Sequence, residues 1–280
     1  MTVPATFTFR HGATVSRIGF GAMRITGRGV WGPPTDENEA IAVLRRAVDL
    51  GVNFIDTADS YGPDISETLI AKALHPYPAE LLIASKGGFL RPGPGAWTAN
   101  GRPAHLRTAC EGSLKRLRLE RIDLYQLHTV DPLVPIEESV GALVELQREG
   151  KIGGVGLSNV SAAELARAQS VADIVSVQNS CNLQDRSSDA LVDLCGAAGI
   201  AFIAFYPLAK GRLARPGSAL ARIAERHRAS AGQIALAWLL HRSPAILPIP
   251  GTSSIAHLEE NLAASAIRLD ADDLQALTAL

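Results

Sequence analysis

Disulfides have no place in a first reading of this chain. Its three cysteines, Cys110, Cys181 and Cys195, form no Cys-x-x-Cys pair. So sparse and odd a set points to a reducing compartment. Excess charge of either sign is also missing. The formal net charge is -1, which excludes the electrostatic footprint of a nucleic-acid binder. The locally basic stretch Leu114–Arg121 interleaves leucines at helical spacing and reads as the solvated side of a helix. No apolar run approaches the roughly 18 residues of a membrane span; the richest, Gly199–Leu208, is broken by Pro207. Met1–Phe9 lacks a basic start followed by an apolar stretch, so no secretory signal is read. A complete dinucleotide turn is absent too, because Gly19-Phe-Gly21-Ala-Met-Arg24 stops short of G-x-G-x-x-G. A cytoplasmic protein follows, with no nucleic-acid or membrane partner and no metal.

What is present is alternation. With 280 residues, 47% hydrophobic and 20% charged, the chain can bury a large core. Short apolar, β-rich runs recur at Arg17–Phe20, Val52–Asp56, Leu81–Lys86, Ile122–His128, Gly153–Leu157, Ile174–Gln178, Ala201–Phe205 and Ile246–Pro248. An amphipathic segment follows each, starting near Asn38, Ser66, Pro103, Pro135, Ser161, Ser187, Ser230 and Ser254. Ser161-Ala-Ala-Glu164 is a capping box, and Gly51, Gly150 and Gly199 stand where helices should stop. Eight such units without a linker predict an α/β fold, a (β/α)8 TIM barrel forming one domain over 1–280. The runner-up is a doubly wound open sheet. Thr6–Phe9 and Ala13–Val15 predict an N-terminal hairpin closing the barrel floor, and Ser218–His227 and Asp270–Thr278 predict two extra helices.

Barrels carry their working groups at the C-terminal ends of strands. There the sequence places Asp56 with Tyr61 just beyond, then Lys86, His128, Ser158-Asn159 and Gln178. Taken singly, each has an ordinary reading: a surface lysine, an edge histidine, a loop-capping aspartate. All of them fall at the same relative position in successive units, which is the signature of a site. A phenol is a poor acid at neutral pH, and an adjacent ammonium is expected to lower its pKa. A carboxylate keeps that ammonium charged, and an imidazole opposite can orient a carbonyl. The set delivers a proton to a carbonyl that becomes an alkoxide. It supplies no electrons, so a hydride carrier is required.

These residues resemble the aldo-keto reductase superfamily over essentially the whole chain. The motifs are Gly19-Phe-Gly21, Phe54-Ile-Asp56-Thr-Ala-Asp-Ser-Tyr61-Gly62, Ser85-Lys86, Asp123 through His128, Gly156-Leu-Ser-Asn159, Val177-Gln178-Asn179, Pro207-Leu208, and Ile249-Pro-Gly-Thr252 through Glu260-Asn261. The resemblance implies reduction of a small-molecule aldehyde or ketone by NADPH, with the tetrad Asp56, Tyr61, Lys86 and His128 and with Tyr61 as the acid. It assigns Ser158, Asn159 and Gln178 to the nicotinamide carboxamide, and Phe205 or Tyr206 to the ring face. Pro207, Leu208 and Gly211 fall in the loop over the pyrophosphate. Gly21, Met23, Asp56, Gly251, Thr252, Ser253, Ser254, His257, Glu260 and Asn261 complete the cofactor set. Many members carry lysine at the position of Gly251 and arginine at that of His257, so NADH is the alternative cofactor. The segment Gly29–Pro34 with His257 and Ile249-Pro-Gly-Thr-Ser-Ser254 resembles the bacterial pyridoxal reductase branch. Trp31, Phe89 and Trp97 lie on strand-exit loops, where they either line an open substrate pocket or anchor the loops. Two other readings remain at this point. One is a Schiff-base lyase using Lys86; the other is a cofactor-binding sensor or regulatory subunit with little turnover.

Overall fold

The computed structural model describes residues 3–209 and 219–280. The chain opens with an antiparallel hairpin, β1 (Thr6–Thr8) and β2 (Thr14–Ser16), in which Phe7 faces Val15. Next come β3 (Phe20–Gly21), β4 (Phe54–Asp56) and β5 (Leu82–Gly87). A second hairpin, β6 (Phe89–Leu90) with β7 (Thr98–Ala99), precedes β8 (Ile122–Leu127), β9 (Ile152–Ser158), β10 (Ile174–Ser180), β11 (Ala201–Phe205) and β12 (Ile246–Pro248). The helices are α1 (Glu37–Asp49), α2 (Ile65–Leu74), α3 (Pro103–Leu117), α4 (Ile136–Arg148), α5 (Ala162–Gln169), α6 (Asp189–Ala198), α7 (Ala219–His227), α8 (Ala231–Arg242), α9 (Ile255–Ala263) and α10 (Ala271–Thr278).

Among the described residues, eight strands pair in parallel in the order β3-β4-β5-β8-β9-β10-β11-β12. The Gly19 N–H donates to the Pro248 carbonyl at 3.0 Å and draws the two edges together. The predicted (β/α)8 barrel is therefore the fold, with its hairpin and its two additional helices, α7 and α10. Residue 218, the expected start of the first of these, lies outside the described residues.

The first strand departs from expectation. The ladder holds Phe20–Gly21 rather than Arg17–Phe20. Arg17 instead turns inward, and its buried guanidinium donates to the carbonyls of Ile246 at 2.9 Å, Ser243 at 2.8 Å and Leu240 at 3.3 Å. Burial lowers its pKa to about 10. It caps the end of α8 and the start of β12, which a strand residue facing the ladder would not do.

Local chemistry explains the helix ends. Ser161 accepts from Glu164 N–H while Glu164 returns to the Ser161 N–H, and Ser230 with Gln233 repeats the device. Gly199 ends α6 in the left-handed conformation at φ 65°.

Two apolar layers follow from the alternation of strand side chains. Inside the barrel, Phe54, Leu82, Leu124, Val175, Ile203 and Leu247 pack on Phe9 and Val15 of the first hairpin. Outside it, Val43, Ile70, Leu143, Phe202 and Trp238 belong to the layer between strands and helices. Each such side chain contributes about 1.5–3 kcal/mol by leaving water. The hairpin plugs the floor, which leaves the opposite end for chemistry. Cys110, Cys181 and Cys195 are all buried, and burial pushes each thiol up to about 12. No helix among the described residues is long and apolar enough to cross a membrane.

Candidate active site

Four of the expected residues meet at that open end. Asp56 is the last residue of β4, and Lys86 sits near the end of β5, in register with Gln126 on β8. The Lys86 ammonium is fully buried and donates to Asp56 Oδ1 at 2.5 Å, to the Thr57 carbonyl at 2.9 Å and to the Tyr61 hydroxyl at 3.3 Å. The other carboxylate oxygen, Asp56 Oδ2, accepts from Gln178 Nε2 at 2.7 Å and Gln126 Nε2 at 3.1 Å. Asp56 thus holds Lys86, and two amides hold Asp56.

The turn after β4 aims the phenol. Tyr61 N–H donates to Ala58 O at 3.2 Å, and Ser66 N–H returns to Tyr61 O at 3.1 Å. Gly62 has φ 92°, and a Cβ there would meet Ile65 Cβ at 2.6 Å, so only glycine closes this turn. Gly156 has a different reason to be glycine. A Cβ at 156 would collide with Ser176 Oγ and lie 2.8 Å from Gln126 Cγ, so the Gly-Leu-Ser-Asn motif makes room for the amide that holds Asp56.

Burial shapes the titration of this cluster. It would lower the Lys86 pKa, but Asp56 and Tyr61 outweigh it, and the net direction is up. The sequence led us to expect a lowered phenol. Burial wins instead: the Tyr61 pKa is raised, although Lys86 pulls the other way. His128 is held well below 6.5 by burial, then by Lys86 and Arg91. At neutral pH the site therefore contains an ammonium, a protonated phenol and a neutral imidazole.

A cavity of about 790 Å³ opens in front of them. One arm is aromatic. Tyr61 and His128 have ring centroids 5.7 Å apart, Phe89 stands 4.8 Å from His128, and Trp97 stands 5.3 Å from Phe89. The other arm is lined by Gly21, Met23, Ser158, Asn159, Gln178, Phe205, Tyr206, Pro207 and Leu208, and it ends at Gly251, Thr252, His257, Glu260 and Asn261. Phe205 and Tyr206 both line it, with rings at 83° to each other. Of the residues expected from sequence, Trp31, Lys86, Ser253 and Ser254 do not line the cavity, and Gly211 lies outside the described residues. Trp31 instead packs 5.4 Å from the Arg91 guanidinium, the anchoring role rather than the pocket role. Lys86 lies behind Tyr61 with its ammonium engaged by three acceptors, so it offers no free amine for a Schiff base.

Sequence reasoning missed Gln126, Arg24 and the β6–β7 hairpin. In the sequence Gln126 is one more residue of the strand run Ile122–His128. Arg24 lines the far arm. A Cβ at Gly251 would lie 3.3 Å from Arg24 Cγ and 2.5 Å from Gly21 O, so the arginine stem fills the space beside Gly251. The turn-rich Arg91-Pro-Gly-Pro-Gly95 was the available signal for the hairpin that presents Phe89 and Trp97.

Residues 17–280 match the family model described as Aldo/keto reductase family. The chain belongs to this family. It is 43% identical over 277 residues to pyridoxine 4-dehydrogenase of Escherichia coli, covering 96% of each chain, which supports the pyridoxal reductase-like branch. An uncharacterised oxidoreductase of Schizosaccharomyces pombe is 47% identical over 258 residues, 92% of this chain and 84% of the relative. Among solved structures, a thermostable aldo-keto reductase in complex with the inhibitor epalrestat superposes with TM-score 0.88 at 32% identity, covering 98% of both chains. An aldo/keto reductase from Klebsiella pneumoniae, in complex with NADP and acetate, gives TM-score 0.84 at 30% identity over 98% of this chain and 94% of that one. As a member of the aldo/keto reductase family the protein is an enzyme, an oxidoreductase whose chemistry is carbonyl reduction.

Proposed function

We propose that the enzyme reduces an aldehyde or ketone with NADPH and that Tyr61 is the general acid. The observation that carries this reading is the Lys86 ammonium, which bridges Asp56 Oδ1 at 2.5 Å and the Tyr61 hydroxyl at 3.3 Å while Tyr61 and His128 line the same cavity.

The donor set of the second arm fits a nicotinamide. Gln178 Nε2 is engaged by Asp56, which leaves its carbonyl oxygen for the cavity. Asn159 Nδ2 donates to His128 O at 2.9 Å and to Ser158 Oγ at 3.1 Å, so its oxygen is likewise left to accept. Ser158 Oγ accepts from Asn159 and keeps its own hydrogen to donate. Two acceptors and one donor match the NH2 and C=O of a carboxamide. Phe205 and Tyr206 supply the stacking surface. At the far end, the N-terminus of α9 with Thr252, His257 and Arg24 suits a phosphate. Arg24 supplies the strong cation that the sequence at 251 and 257 lacks, which favours NADPH over NADH.

NADPH supplies the hydride when bound. The protein supplies the proton and its placement. His128, neutral at working pH, is too weak an acid to give up its ring hydrogen and instead donates a hydrogen bond that orients the carbonyl oxygen. Tyr61 keeps its proton in the ground state because burial raises its pKa. An alkoxide is a far stronger base than a carbonyl, so it draws that proton as it forms. Lys86 then stabilises the phenolate, which exists only late in the step, and interactions that strengthen only there are the ones that speed it. Asp56 keeps Lys86 charged and pointed at the phenol.

Tyr61→Phe keeps the ring and removes the proton. NADPH oxidation with 4-nitrobenzaldehyde or pyridoxal should fall about 10²–10⁴-fold, with NADPH affinity unchanged in a fluorescence titration. Near-normal turnover in this variant would exclude Tyr61 as the acid.

A further inference from the structure

We propose that Ser60 is a positioning residue that holds His128 in one neutral tautomer, with Nδ1 bare and the hydrogen on Nε2, and that Arg91 holds Ser60 in place. The consequence for turnover rests on the reading of His128 as the group that orients the carbonyl; the tautomer itself does not.

Ser60 is buried, and its hydroxyl lies 3.2 Å from His128 Nδ1. Two protonation patterns fit that distance. If Nδ1 carried the hydrogen, the buried serine hydroxyl would need a second acceptor for its own. None is found for it among the described residues, and the nearby Ser60 carbonyl is already engaged by Arg91 Nη1 at 2.6 Å. Buried donors are rarely left unpaired. If the hydroxyl donates to Nδ1, both groups are satisfied. The imidazole is neutral, held so by burial and by the charges of Lys86 and Arg91. It has one ring hydrogen, which then belongs on Nε2. His128 lines the cavity, so its remaining donor is available to a carbonyl oxygen.

Arg91 fixes the backbone from which Ser60 works. Its guanidinium donates to Ser60 O at 2.6 Å, to Val30 O at 2.9 Å and to Ala96 O at 3.0 Å. Its Cζ lies 3.7 Å from the ring centre of Trp97, whose ring centre in turn stands 6.5 Å from that of Tyr61. One side chain therefore ties together the loop after β3, the loop after β4 and the β6–β7 hairpin. A lysine has one ammonium and no planar fork, and cannot make these bonds together. The Ser60 hydroxyl is thereby set against one ring nitrogen instead of rotating among alternatives.

The test is long-range ¹H–¹⁵N NMR of the histidine rings, with His128 assigned by its loss in His128→Gln. In wild type, Nδ1 should give a pyridine-type signal and Nε2 a pyrrole-type one. Ser60→Ala should shift both signals toward a mixture, Ser60→Thr should restore them, and Arg91→Lys should move them as Ser60→Ala does. In Ser60→Ala, kcat on an aromatic aldehyde should fall about tenfold, a fraction of the 10²–10³ typical of losing an oxyanion donor outright. Binding of NADPH should stay within about twofold, because Ser60 is not among the residues lining the cofactor arm. A pyrrole-type Nδ1 in wild type, or His128 signals unmoved by Ser60→Ala, overturns the proposal. Unmoved signals in Arg91→Lys would remove Arg91 from it. Signals that move while kcat does not would sustain Ser60 as the tautomer setter and count against the role given to His128.

Discussion

Replacing Lys86 by methionine tests the buried ion pair and its catalytic use in one series. Lys86 is fully buried and Asp56 nearly so, and their contact is 2.5 Å. Methionine roughly preserves the stem and deletes the charge. Asp56 keeps its two amide donors, Gln126 at 3.1 Å and Gln178 at 2.7 Å, but loses its countercharge. Removing one partner of a buried pair costs about 3–5 kcal/mol. For a chain of this size that corresponds to a drop in Tm of about 10 °C. The double variant Lys86→Met/Asp56→Asn removes both charges and should recover more than half of that loss, so the two single losses should be far from additive in a double-mutant cycle. The pH dependence has a definite sign. The Lys86 pKa is raised in the folded chain, so its contribution is fully present below the unfolded value of about 10.4 and fades only as pH climbs through the folded value. The difference between wild type and Lys86→Met should therefore be flat from pH 6 to 9. Urea denaturation at several pH values measures all of this. Turnover should behave otherwise: Lys86→Met nearly abolishes it, Asp56→Asn is milder because the ammonium persists, and the double variant stays inactive although it refolds well. A double variant no more stable than the sum of its parts, or an Asp56→Asn enzyme slower than Lys86→Met, would refute the pairing argument.

Two further expectations concern groups outside the tetrad. Arg24→Ala should weaken NADPH binding about five- to tenfold, roughly the worth of one charge-assisted hydrogen bond, and leave NADH unchanged; equal effects on both nucleotides in fluorescence titration would remove Arg24 from the phosphate end. Asp59 has a buried Oδ1 without a hydrogen-bond partner among the described residues. Burial, then the neighbouring Glu67, raises its pKa to about 8 against the pull of Arg116. An acid raised on folding favours the folded state while protonated, so its contribution declines as pH rises from about 4, its unfolded value, to 8. Asp59→Asn should accordingly gain stability relative to wild type between pH 5 and 8, and a constant difference over that range would contradict the buried proton.

Much of this site was legible because its signal is local. An apolar run that ends in Asp56, Lys86 or His128 states in one short stretch both the strand and the group at its mouth. The barrel rule then gathers those mouths on one face. What escaped is carried by distance through space. Ser60 meets His128 68 residues away, and Arg91 meets Ser60 31 residues away. Gln126 reads as a strand residue until Asp56, 70 residues earlier, is placed beside it. Arg24 comes to line the cavity beside Gly251 only because the seam between β3 and β12 closes next to it. The raised Tyr61 pKa lies beyond the sequence for another reason: the sequence shows the neighbouring ammonium but not how completely the ring is removed from water.

The three cysteines bear on how such an enzyme survives its own trade. Aldehydes are electrophiles, and the thiolate is the strongest protein nucleophile they can meet. Here each thiol lies inside the wall of the barrel with its pKa pushed up to about 12. At neutral pH almost none is ionised and none is accessible. A catalyst built this way can turn over an electrophilic carbonyl substrate without its own thiols being alkylated or crosslinked.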